Sequence, residues 1–159
     1  MINRIKALLT GGGQSKSIES EEDPEAQARL AAAALLVEQA QVDGDFDERE
    51  RERISELLAD RFDLDQEECG TLMQAADEAV DKSSQLYGFT RVIKDQYTPE
   101  QRIGMIEMLW QVAFADGNVD MYESNLIRRV AGLIFVTDMD RGLAKKRVMA
   151  RLGIKDGSV

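Results

Sequence analysis

Helix-start signals recur along this chain so regularly that they leave room for little besides a bundle of helices. Asp23 precedes Pro24, Asp47 stands three residues before Glu50, Asp65 three before Glu68, and Asp120 three before Glu123. An Asp, Ser or Thr at the cap accepts a hydrogen bond from the backbone of the first turn, and a Glu or Gln three residues on returns one. Ser83 and Ser84 offer caps to a following segment, and Thr98-Pro99-Glu100-Gln101 supplies cap, first-turn proline and reciprocal Gln. Thr137 or Asp138 can open a last helix closed by Gly153. Both prolines sit at helix starts, where a missing N–H costs nothing.

Apolar spacing agrees. Leu30, Ala33, Ala34, Val37 and Ala40 recur at intervals of three and four, as do Ile54, Leu57 and Leu58, and later Ile103, Ile106, Trp110 and Ala113. No alternating, strand-like run occurs. The reading is an all-α bundle of seven helices at about 24–42, 48–62, 66–81, 84–96, 99–115, 121–134 and 138–151. Residues 1–23 form an N-terminal arm and acidic linker, with Gly11-Gly12-Gly13-Gln14-Ser15 as its flexible part. The helical domain is expected over 24–153, followed by a tail at 154–159.

Composition narrows the chemistry. The 159 residues carry 20 Lys plus Arg against 30 Asp plus Glu, a formal charge of −10, and no histidine. That removes the usual general base and the commonest transition-metal ligand. The lone Cys69 rules out an intrachain disulfide and an ordinary structural zinc site; next to Leu72 and Met73 it reads as core. The acidic balance argues against nucleic acid, which needs clustered Lys and Arg. No apolar run reaches the ~20 residues of a membrane span, nor does the start resemble a secretion signal. The expectation is a cytoplasmic protein without enzymatic activity, touching membrane only indirectly or weakly through the arm.

Shifting the sequence by 73 places Leu36, Ala40, Asp43, Gly44, Asp47, Glu50, Ile54, Phe62 and Asp65 on Leu109, Ala113, Asp116, Gly117, Asp120, Glu123, Ile127, Phe135 and Asp138. Such a repeat implies two similar helical hairpins related by pseudo-symmetry and linked by the helix at 84–96. In each turn the structural roles are simple: Gly44 and Gly117 end a helix in the left-handed region, and the acids cap the next one. Asp43, Asp45, Asp47 and Glu50, with Asp116, Asn118, Asp120 and Glu123, also form a candidate metal site, since crowded carboxylates suit Ca²⁺ or Mg²⁺. From the glycine onward each turn matches the second half of an EF-hand loop. Ahead of it the second copy has Val112 and Phe114, which cannot coordinate, so it is no EF-hand; the first has Gln39 and Gln41 and is a poor one. No cofactor is certain; Ca²⁺ or Mg²⁺ is the candidate.

The segments LLVEQAQVDGDFDERE and LWQVAFADGNVDMYE, with the intervening SSQLYGFTRVI, resemble the TerB-like tellurite resistance family over about residues 26–152. Val42 stands where that family usually has alanine, a change in packing only. A related repeat occurs in a membrane-anchored DnaJ-type co-chaperone, but no J-domain signature is present. The resemblance implies a compact bundle of about seven helices with acids gathered at two turns. It implies cation binding at Asp43, Asp47, Glu50, Asp116, Asp120 and Glu123, and a non-enzymatic interaction module in stress response with a protein partner. Met105, Met108 and Trp110 are expected in the core, and Tyr87, Phe89 and Val92 are expected to bridge the two halves. Arg128, Arg129, Arg141, Lys145, Lys146, Arg147 and Arg151 make the last part basic, either as a solvated face or as a contact for an anionic partner.

Overall fold

The computed structural model describes residues 23–42, 47–82, 86–115, 119 and 121–154. These form seven α-helices: α1 Pro24–Gln41, α2 Glu48–Phe62, α3 Gln66–Lys82, α4 Leu86–Gln96, α5 Pro99–Ala113, α6 Met121–Leu133 and α7 Asp138–Leu152. No strand occurs among the described residues, and no helix among them is long and apolar enough to cross a membrane.

The expected caps set the helix starts. Asp23 accepts from the Ala26 N–H at 3.3 Å, with Pro24 in the first turn. Complete capping boxes open α2 through Asp47 and Glu50 and α5 through Thr98 and Gln101. Before α3, Glu68 donates its N–H to Asp65 Oδ1 at 2.8 Å and receives that of Asp65 at 3.0 Å. Thr137, not Asp138, caps α7, and Gly153 closes it with φ 72°. The caps expected at Ser83 and Ser84 and the glycines Gly44 and Gly117 lie outside the described residues.

α1 is the centre. It packs against α2, α3, α4, α5 and α6, and every residue from Ala31 to Val37 is buried. A helix buried on all sides loses its polar stripe, and the run Ala31-Ala32-Ala33-Ala34 keeps its girth small enough for several neighbours. Leu35, Leu36, Ile54, Leu58, Ile93, Met105, Ile106, Leu109 and Ile127 complete a single core, each contributing about 1.5–3 kcal/mol. Buttresses tie the outer helices: the Arg51 guanidinium meets Asp77 across α2 and α3 at 2.6 Å, and Glu107 on α5 receives both Arg147 and Arg151 of α7.

Phe89 and Val92 pack against the core, whereas Tyr87, expected with them to bridge the two halves, is exposed. Met105, Met108 and Trp110 are buried, whereas Met121 and Met139 face solvent. The 73-residue offset also fails at one place. Helix α2 ends with Leu64 N–H donating to Ala59 O and Asp63 left-handed at φ 54°; α6 ends with Val136 N–H donating to Ala131 O and Phe135 left-handed at φ 62°. Those pairs are 72 apart, so Phe135 takes the place of Asp63. Phe62 packs on the core, while Phe135 is 70% exposed. The turn geometry decides the side chain's fate, not the matching letter.

Two substitutions check this account. Thr98→Ala removes a cap and is expected to cost about 1 kcal/mol, while Asp63→Gly relieves a left-handed non-glycine and is expected to gain a few tenths to 1 kcal/mol. Thermal melting reads both as shifts of opposite sign.

Candidate functional site

The two acidic segments follow α1 and α5, whose last turns carry buried residues although Gln41 and Val42 at the end of α1 are exposed. α1 delivers Ala40, and α5 delivers Val112 and Ala113, all essentially inaccessible. The described chain resumes at Asp47 after α1, and Val119, ahead of α6, packs against the core. Of the eight candidate metal-binding residues, Asp43, Asp45, Asp116, Asn118 and Asp120 lie outside the described residues. Asp47, Glu50 and Glu123 are placed.

Asp47 Oδ1 accepts from the Glu50 N–H at 2.9 Å, and Glu50 Oε1 accepts from the Asp47 N–H at 3.3 Å. One oxygen of each carboxylate is thus committed to the helix end, and the other Asp47 oxygen stands 3.9 Å from Arg49. Glu50 is only 5% exposed and Glu123, in the first turn of α6, 4%. Carboxylates are rarely buried so deeply without a strong reason. The first turn of a helix supplies part of one, because its unbonded N–H groups and dipole favour negative charge. Among the described residues no three acidic or thiol side chains gather as a metal-holding group.

One polar residue near the first turn stands out. Gln39, in the last turn of α1 and four residues before Asp43, is completely buried, and neither its amide oxygen nor its nitrogen has a hydrogen-bond partner among the described residues. Its counterpart by the 73-residue offset is Val112, also buried. The pattern of sequence had marked position 39 as a weak EF-hand ligand; its complete burial came only from the packing of α1. Gln41 faces solvent.

Elsewhere, burial pushes the Cys69 thiol up from its ordinary pKa, and the thiol donates to the Ser55 carbonyl at 3.2 Å. A thiol held protonated in this way is a poor nucleophile. A cleft of about 500 Å³ opens where α1 begins, walled by Pro24, Ala28, Gln96, Tyr97 and Gln101. Burial raises the pKa of the Tyr97 phenol there, against the nearby charges of Arg61 and Arg29.

The unpartnered amide makes a prediction. Gln39→Met, of similar volume, is expected to raise stability in chelator by about 1–3 kcal/mol, because it removes buried polar atoms that lack partners. A fall in melting temperature would mean the amide is satisfied in solution.

The family of the tellurite resistance protein TerB matches residues 29–146, from the second turn of α1 into α7. No curated protein and no solved structure gives a match to the chain. The matched region takes in both acidic turns, the linking helix and most of the core, and on that ground the chain belongs to the TerB family of tellurite resistance proteins.

Proposed function

We propose that this chain is a non-enzymatic interaction module of the tellurite-resistance and stress-response kind, working in the cytoplasm by holding a protein partner. The observation that supports it is a set of exposed apolar side chains around the start of α7. Phe135 is 70% exposed, Met139 74% and Leu143 44%. Met139 and Leu143 are four apart on α7 and therefore neighbours along one side. Cations border them: the Lys94 ammonium lies 5.4 Å from the centre of the Phe135 ring, and Lys146 follows Leu143 by three residues. An apolar ridge rimmed by lysine suits an amphipathic helix with acidic flanks.

The test is survival on tellurite of cells lacking the chain and supplied with either the parent or Met139→Asp combined with Leu143→Asp. Both positions are exposed, so the variant is expected to melt like the parent yet lose protection. Full protection by the variant would remove the ridge from the function.

A second reading has its own support: a Ca²⁺- or Mg²⁺-dependent regulator using Asp43, Asp45, Asp47 and Glu50 with Asp116, Asn118, Asp120 and Glu123, the two turns related as pseudo-symmetric repeats. Two glutamates at matching positions, both buried, favour it. Gln39 adds an oxygen on the first side only, so the first turn is the better equipped. Calorimetric titration of the full chain with Ca²⁺ or Mg²⁺ is expected to show saturable heat, and Glu50→Gln is expected to weaken binding more than Glu123→Gln. Absence of heat together with identical melting in cation and chelator would refute this reading.

A further inference from the structure

We infer that a basic pocket between α5, α6 and α7 binds the phosphate group of a small phosphomonoester. The pocket encloses about 180 Å³ and is lined by Trp110, Ser124, Arg128, Arg141, Gly142 and Lys145. At roughly 30 Å³ per water it has room for one tetrahedral oxyanion with a few attached atoms. Three of its six residues are cations, in a chain whose formal charge is −10.

Two of these three cations are not consumed by ion pairs among the described residues. Arg128 and Lys145 form no ion pair among the described residues, and the Lys145 ammonium instead lies 5.0 Å from the centre of the Trp110 ring. Arg141 meets Asp138 at 3.0 Å, but that carboxylate is 91% exposed and so strongly screened. Guanidinium groups pair with phosphate oxygens through two parallel N–H donors, which a lysine cannot do. Ser124 contributes a hydroxyl donor.

Trp110 is 97% buried and its indole N–H, itself inaccessible, is not a donor to the pocket; what it offers is the ring over which the Lys145 ammonium lies. The indole also gives the pocket an apolar wall, suited to the carbon atoms next to a phosphoryl group. At Gly142, on the pocket wall, a side-chain carbon would meet nothing within 4 Å, so the space beside it is open. The chain's overall negative charge does not reach in far, since fields are screened over about 8 Å at physiological salt.

Trp110 is the only tryptophan, so fluorescence reports on the surroundings of this one ring. The full chain is titrated at constant ionic strength with inorganic phosphate, with glycerol 3-phosphate, and with phosphatidylcholine vesicles with and without phosphatidic acid, and each titration is repeated by calorimetry. Saturable binding is expected, tighter for glycerol 3-phosphate than for inorganic phosphate. Arg128→Ala combined with Lys145→Ala is expected to weaken it at least tenfold, and so is Gly142→Glu, which places a carboxylate in open space. Circular dichroism and melting confirm that both variants stay folded. Binding confined to phosphatidic acid vesicles and lost in the variants retains the site and assigns its phosphate to a lipid headgroup. Absence of a saturable response by either readout in every titration, or undiminished affinity in the variants, overturns the inference.

Discussion

The burial of α1 on every side is the constraint from which the rest of the fold follows. An ordinary surface helix keeps a polar stripe and packs one face inward. Here Ala31 through Val37 contains no polar residue, and the flanking helices must close around it. Four successive alanines make this possible, because a narrow helix lets its neighbours approach without leaving voids, and close packing is what the core's stability rests on. The larger Leu35 and Leu36 then fill the space between the surrounding helices.

Each acidic segment follows a helix whose last turn carries core residues and precedes one whose first turn holds a buried glutamate. Carboxylates at helix N-termini gain from backbone donors and from the dipole, so the fold can hold charge where it would otherwise be expelled. Gln39 is the exception, a fully buried amide with neither atom partnered among the described residues. Charge elsewhere is used as a fastener: Arg51 with Asp77 joins α2 to α3, and Arg147 and Arg151 with Glu107 join α7 to α5.

Most helix limits were legible in the sequence because capping is local chemistry. A side chain and the backbone it bonds are three residues apart, so Asp47 with Glu50, Asp65 with Glu68 and Thr98 with Gln101 could be read directly. The 73-residue letter match did not fix the ends of the helices. Matching letters placed Phe135 on Phe62 and Asp138 on Asp65, yet the helix end follows an offset of 72, putting Phe135 in the left-handed slot of Asp63 and making Thr137 the cap. Phe62 packs on the core while Phe135 sits in a left-handed position facing solvent, and no local pattern announces that difference. The candidate metal residues were likewise found by spacing, while the burial of Glu50 and Glu123 depended on helices distant in sequence.

What the sequence determined by itself, then, was the set of helices and most of their starting points, since these rest on contacts within one or two turns of chain. Tertiary structure alone decided that α1 lies at the centre, that Tyr87 and Phe135 face solvent, and that Trp110 joins Arg128, Arg141 and Lys145 around one pocket. Those outcomes depend on residues from separate helices meeting in space, which periodicity along a single segment does not encode.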